Sequence, residues 1–246
     1  MPNLRSLLKG ALPSGARNAV QRLLLGYHSF APSFSSAGED MILRHLVGSD
    51  KRDGFYVDVG AFDPVRASNT CFFHLNGWRG INIDARPGSM RAFDRLRPAD
   101  VNLEVGIAAE RGELTYYIVD EGSSMNSFSL DFLKSIGMAG EVKRTVSVPV
   151  LPLAEVLERH LPAGQKIDFM TVDVEGYDYR VLSSNDWRRF RPGIVVVEDE
   201  CVEGAGSEVT RLMEGCGYRV CAQNVILMGK INEYFFIDEA LSNGHR

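Results

Sequence analysis

Six carboxylates follow short apolar runs in this 246-residue chain. Asp58 stands inside Val57-Asp58-Val59-Gly60, and Asp84 ends Ile81-Asn82-Ile83-Asp84. Asp173 and Glu175 follow Met170-Thr171-Val172, and Glu198 with Asp199 follows Val195-Val196-Val197. Open parallel sheets bind ligands beyond the carboxyl ends of their strands, so acids at those ends share one rim. Acids there also cap the next helix, which accounts for one or two of them. Four strand ends carrying acids point instead to a binding site.

The turn after Asp58 narrows the ligand. Gly60 permits close approach to the backbone, and Asp58 could hold the amino group of a zwitterionic ligand. A dinucleotide fingerprint would need further glycines so that a pyrophosphate could lie on bare amides. Here Phe62, Asp63 and Pro64 stand in their place, and Asp63 would repel phosphate. Asp84, 26 residues beyond Asp58, is placed to accept hydrogen bonds from both ribose hydroxyls. A nucleoside without phosphates, S-adenosylmethionine (SAM), fits this pair better than NAD.

Methyl transfer to a hydroxyl needs positioning and a base or a metal, since the hydroxyl is a poor nucleophile at neutral pH. Asp173, Glu175 and Glu198 are the candidate catalytic acids. Three roles stay open for them. Asp173 or Glu175 could act as a metal-free base, Glu175 could cap the helix near Tyr177, or Asp173, Glu198 and Asp199 could bind Mg²⁺ through hard oxygen ligands. The last arrangement resembles the metal site of catechol-type methyltransferases. His28, His45 and His74 sit on or before helices with no visible partner and read as structural.

These residues need an alternating scaffold of strands and helices. The apolar runs Phe55–Val59, Gly80–Asp84, Val101–Ile107, Ile167–Val172 and Ile194–Val197 read as strands, the last two buried on both faces. Helical patterns cover Gly38–Leu46, Ser68–Leu75, Pro87–Leu96, Leu153–His160, Asp178–Leu182 and Val209–Glu214. Further strands are expected at Glu113–Val119 and Val146–Val150. Residues 120–144 lose the pattern and read as a flexible substrate loop or lid. Tyr218–Ala222 and Tyr234–Ile237, with no helix between them, predict an antiparallel hairpin at the sheet edge. The fold class is therefore α/β, Rossmann-like, with a mostly parallel sheet and helices on both faces. The hairpin favours a methyltransferase over a dehydrogenase, whose sheet would continue in parallel.

Bulk properties restrict partners. A net charge of −5 argues against nucleic acid. The four cysteines form no CxxC pair and read as reduced thiols of a cytoplasmic protein. No apolar run is long enough to span a bilayer, and no signal-peptide core stands out. Residues 1–36 read as an arm, helical in part, that packs on the domain or touches a membrane surface, and its leucines would suit a homodimer. Residues 37–246 form the expected domain.

Four pieces of the chain resemble the FkbM-type methyltransferases. They are Gly54-Phe-Tyr-Val-Asp-Val-Gly-Ala with Pro64 and Ser68-Asn-Thr; Asn76-Gly-Trp-Arg-Gly with Ile83-Asp-Ala-Arg-Pro; Ile167-Asp-Phe-Met-Thr-Val-Asp-Val-Glu-Gly; and Val181-Leu with Asp186-Trp. The chain departs from the family at Phe62-Asp63-Pro64, where Asn-Xaa-Gly is common, and Ser124-Met-Asn-Ser-Phe-Ser is only a loose counterpart of a Ser-Thr-Leu-Ser-like stretch. The resemblance implies a class I SAM-dependent fold and O-methylation of a sugar or other hydroxyl on a glycan or natural product. By the matching positions it implies SAM contacts at Asp58, Gly60, Ala61, Asn69, Asp84, Ala85, Gly106, Ile107 and Asp173. Two alternatives are an NAD-dependent sugar-modifying enzyme, disfavoured by Asp63 and by the lack of a Tyr-Xaa-Xaa-Xaa-Lys pair, and a non-catalytic SAM-binding protein of the same fold.

Overall fold

A computed structural model describes residues 31–48, 51–200, 207–226 and 231–242. The N-terminal arm, with its expected helix, membrane contact and dimer contact, lies outside them almost entirely. Residues Phe34–Arg246 make one compact unit.

In chain order the unit begins with α1 (Glu39–Val47), β1 (Phe55–Val59), α2 (Cys71–Leu75), β2 (Arg79–Asp84), α3 (Met90–Leu96) and β3 (Val101–Glu104). It continues with β4 (Gly106–Ile107), β5 (Gly112–Ile118), α4 (Leu130–Ser135), β6 (Arg144–Leu151), α5 (Leu153–His160), β7 (Phe169–Val172) and α6 (Asp178–Ser183). It ends with β8 (Ile194–Glu200), α7 (Glu208–Gly215), β9 (Tyr218–Ile226), β10 (Ile231–Asp238) and α8 (Glu239–Ser242). Seven strands form the main sheet in the order β3-β2-β1-β7-β8-β10-β9. Neighbours among the first five are parallel, and β10 runs antiparallel to both β8 and β9. The expected edge hairpin is present, with Ala222 opposite Phe235.

Strand alternation sends side chains to opposite faces, and both faces are covered. Val57, Val59, Ile81, Val172, Val195 and Val197 pack with Leu153, Leu157, Val181, Leu182, Val209 and Met213 from α5, α6 and α7. Tyr56, Phe169, Val196 and Phe235 meet Leu43 of α1, Phe73 of α2 and Trp78 on the other face. Phe73, Trp78 and Phe169 hold ring centroids 4.7–5.7 Å apart, within the range of favourable aromatic pairing. Each such fully buried side chain stabilises by roughly 1.5–3 kcal/mol relative to exposure.

Two regions differ from the sequence reading. The apolar run Val101–Ile107 is broken: Val105 donates to the Asp84 carbonyl at 3.1 Å, and Gly106 then enters a second sheet of order β4-β6-β5. A Cβ on Gly106 would fall 2.5 Å from the Phe128 ring and 2.9 Å from Val150, so the crossing needs glycine. Residues 120–144, read as a flexible substrate loop or lid, carry local structure of their own, including α4. Val119, Phe132 and Leu133 form a small core of their own, and the Ser129 hydroxyl caps α4 by accepting from Phe132 N–H at 3.1 Å. Buried Asn126 staples the turn: its Oδ1 accepts from Val119 and Asp120 N–H, and its Nδ2 donates to the Asp120 and Ser123 carbonyls. Cys71, Cys216 and Cys221 are free thiols.

Candidate active site

Parallel pairing brings the carboxyl ends of β1, β2, β7 and β8 to one rim, where a cleft of about 1220 Å³, mouth included, opens. The loops after β1 and β7 lock together above it. Gly60 has φ +87°, and a Cβ there would lie 1.7 Å from the Asp173 carbonyl oxygen. The space a side chain would take at this glycine is therefore filled by the backbone of the loop after β7. Gly60 and Ala61 both donate to the Ile83 carbonyl, and Asp173 N–H donates to the Val59 carbonyl. Phe62 and Glu175 both adopt left-handed φ, +51° and +55°, a strained state for a side-chain-bearing residue that concentrates at functional sites. Glu175 is held there from behind, since the Ser127 hydroxyl donates to its carbonyl at 2.7 Å.

Of the expected ligand contacts, Gly60, Asn69, Asp84, Ala85, Gly106, Ile107 and Asp173 line the cleft. Asp84 is fixed by two backbone donors, Phe62 N–H on one oxygen and Arg86 N–H on the other, both 2.8 Å. Burial raises its pKa against the pull of these donors. The Asn69 amide donates to Thr171 at 3.0 Å. Two expected contacts lie elsewhere. Ala61 packs with Met90 and Phe93. Asp58 is buried beneath the turn and accepts from the Thr70 hydroxyl at 2.6 Å, in a network centred on Arg97. That guanidinium, 1% exposed, donates to Thr70, Ser68, Asn82 and Tyr56 side chains and to the Pro64 carbonyl. Burial pushes Asp58 up to about 6, opposed by Thr70 and Arg97. Its carboxylate organises the loop floor.

The opposite end of the cleft is acidic. Glu39, Asp173, Glu175, Glu198 and Glu233 line it together. The sheet register forces part of this crowding, because Glu198 on β8 stands directly across from Glu233 on β10, and like charges at such a pair repel. Asp173, Glu175 and Glu198 each bring an oxygen within 4.8 Å of the others. One oxygen on each of Asp173, Glu175, Glu198 and Glu233 is buried without a hydrogen-bond partner. Burial, reinforced by neighbouring carboxylates, raises the pKa of Asp173, Glu175 and Glu198. Glu233 is pushed up to about 10, by burial first and then by Glu39. Asp178, at the start of α6, accepts from Val174 and Gly176 N–H and so serves as the cap of that turn. Asp199 follows Glu198 along β8 and is turned to the other face of the sheet by strand alternation. It is absent from the cleft lining, and Glu175 stands with Asp173 and Glu198 instead. His74 lies outside the cleft, 3.4 Å from the Asp100 carboxylate.

Glu39 and Glu233 escaped the sequence reading. Glu233 left one signal, an acid directly before the apolar run Tyr234-Phe235-Phe236-Ile237. Glu39 reads as an ordinary first-turn acid of a helix. Tyr116, Phe128, Tyr177 and the stretch Ser123–Asn126 add to the wall, with Phe62 and one cation, Arg86, at its edge.

The family model for the methyltransferase FkbM domain matches residues 58–220, well over half of the chain. The chain belongs to the FkbM methyltransferase family. This methyltransferase also resembles, at 10% identity, a TehB-like SAM-dependent methyltransferase from Corynebacterium glutamicum, with a TM-score of 0.44 over 93% of this chain and 100% of that one. A second likeness is to the Burkholderia thailandensis 1,6-didemethyltoxoflavin-N1-methyltransferase, solved with 1,6-didemethyltoxoflavin and S-adenosylhomocysteine, at 10% identity and a TM-score of 0.43 over 94% and 92% of the two chains. No curated protein sequence matches this FkbM protein. None of its described helices is long and apolar enough to cross a membrane.

Proposed function

We propose that this FkbM-family protein binds SAM in the cleft and methylates a hydroxyl of a sugar on a glycan or glycosylated natural product. The observation that carries the reading is the charge of the lining. Glu39, Asp84, Asp173, Glu175, Glu198 and Glu233 face one cavity, which suits a ligand with ammonium and sulfonium groups and opposes the pyrophosphate of NAD. Asp84 would take the ribose hydroxyls, with Ala85, Gly106 and Ile107 beside the base and Gly60, Asn69 and Asp173 toward the amino-acid end. When bound, SAM supplies an electrophilic methyl group.

The protein's own contribution is proton handling. Burial pushes Glu175 up to about 10 and Glu198 up to about 12, so these two hold protons at neutral pH, and a positive charge beside them favours their ionised form. Binding of a cation thus readies a base at Asp173 Oδ1, Glu175 Oε2 or Glu198 Oε2 to accept the acceptor's hydroxyl proton. The same three residues form the group of described side chains spaced to hold a divalent cation, and Mg²⁺ there would polarise the acceptor oxygen. That second reading rests on Glu175 in place of Asp199.

Isothermal titration with SAM and S-adenosylhomocysteine tests the assignment. Wild type is expected to bind both and to release protons, read from the dependence of the heat on buffer ionisation. Asp84→Asn is expected to bind at least about tenfold more weakly, as befits loss of a charged hydrogen-bond acceptor. Folded wild-type protein that retains neither ligand, or that prefers NAD, overturns the proposal. A titration with MgCl₂ in the same cell decides the role of the metal.

A further inference from the structure

Beside the cleft mouth, behind Phe62, lies a second depression of about 680 Å³, open to solvent. Its lining includes Arg66, Arg86, Arg91, Arg95 and Ser89, with Asp63 as the one acid among the described residues. We propose that this groove is an oxyanion site that takes a phosphate or sulfate group. It is separate from the SAM reading of the cleft and does not depend on it.

Four features argue for a built site. Among the described residues, none of the four arginines forms an ion pair. Arg86, which lines both the groove and the cleft, is hydrogen-bonded to neutral partners only, its terminal nitrogens donating to the Glu121 and Phe62 carbonyls, so its charge is left without an ion-paired counter-charge among the described residues. Arg91 and Arg95 are four residues apart on α3, where like charges repel, and among the described residues no acid but Asp63 lines the groove with them. Asp63 is already engaged, its Oδ1 accepting from Val65 and Arg66 N–H.

The geometry also holds the cations in place. Arg66 and Arg86 lie 5.0 and 5.8 Å from the Phe62 ring, which the left-handed backbone of Phe62 sets between cleft and groove. Arg66 is further tied to the Gly122 carbonyl at 3.5 Å. Guanidinium forks match the oxygens of phosphate and sulfate. A tetrahedral oxyanion offers more acceptors to four arginines than a carboxylate does. In a chain of net charge −5, this local excess of positive charge is a departure that needs a reason.

The test uses the full chain at low ionic strength, where surface electrostatics are least screened. Inorganic phosphate and glucose 1-phosphate are titrated into wild type, into Arg91→Gln/Arg95→Gln, and into a control of equal charge change, Arg52→Gln/Arg188→Gln. Wild type and control are expected to bind with equal affinity, and the groove variant at least about tenfold more weakly. S-adenosylhomocysteine affinity and melting temperature monitor folding and the cleft, since Arg91 and Arg95 do not line it. Tighter binding of the sugar phosphate assigns the oxyanion to an acceptor; equal binding assigns it to the free ion; both uphold the site. No binding to wild type, or equal weakening in the control, overturns it, and loss of S-adenosylhomocysteine binding alone would bear on the cleft and leave the groove standing.

Discussion

Replacing Glu233 by Gln is expected to make the protein more stable, and more so at higher pH. Glu233 is 4% exposed, faces Glu198 across the β8–β10 pair, and leaves one oxygen without a partner. Burial and Glu39 push it up to about 10 from an ordinary 4.5. Between those values the folded protein holds a proton that the unfolded chain has released, so stability falls as pH rises through that window. At pH 7 this protonation costs at most about 3 kcal/mol, and at pH 5 about 1 kcal/mol. Gln has nearly the same shape, is neutral throughout, and can still donate to Glu39. For a chain of this size each kcal/mol moves the melting temperature by about 2–4 °C. Glu233→Gln should therefore melt about 6–12 °C higher at pH 7 and only about 2–4 °C higher at pH 5. Differential scanning calorimetry in EDTA at the two pH values reads this directly. An equal shift at both, or a lower melting temperature at pH 7, refutes the argument that a buried, proton-holding carboxyl sits here.

Two further substitutions probe the frame of the site. Gly60→Ala places a Cβ on the Asp173 carbonyl at a left-handed φ and should cost about 3 kcal/mol or more, with loss of S-adenosylhomocysteine binding; a wild-type urea midpoint would show that the two loops are not locked together. Asn126→Ala removes four hydrogen bonds from one turn and should cost about 2–4 kcal/mol, with faster cleavage after Glu121 by a glutamate-specific protease. Cleavage at the wild-type rate would show that the turn holds without its staple.

The scaffold was legible where burial is two-sided. Ile167–Val172 and Ile194–Val197 read as strands because neither face of a central parallel strand meets water, and Leu153–His160 reads as a helix because one stripe of it does not. The break at Val105 was hidden, since Val101, Leu103, Val105 and Ile107 keep one strand-like alternation through it and the demand for Gly106 comes from Phe128, far along the chain. Asp84 and Asp173 could be placed on the rim from strand ends alone. Asp58 could not: every residue of Phe55–Val59 is buried, so alternation carries no mark of which face meets the cleft. Arg97 had no signal, because an arginine just after a helix ordinarily faces solvent. Glu233 depended on register, which a hairpin sets through pairing rather than through any local pattern.

The acidic end of the cleft and the arginine groove reinterpret the overall charge. The formal value of −5 counts every carboxylate as ionised, yet Asp173, Glu175, Glu198 and Glu233 all have raised pKa values. Each proton they keep makes the folded protein one charge less acidic than its composition suggests. Those carboxyls are interior, whereas Arg66, Arg91 and Arg95 are exposed, so the local field met by a ligand near the groove is positive. A ligand that is anionic at one end and presents a hydroxyl at the other would be drawn by the outer arginines and would meet the proton-accepting cluster only after entry. In the proposed reaction the cation that ionises the cluster would have to be in place first, because an acceptor arriving at protonated carboxyls would find no base. Under the proposed function, binding in the cleft is therefore expected to precede productive binding of the acceptor, an order that product-inhibition kinetics with S-adenosylhomocysteine would read.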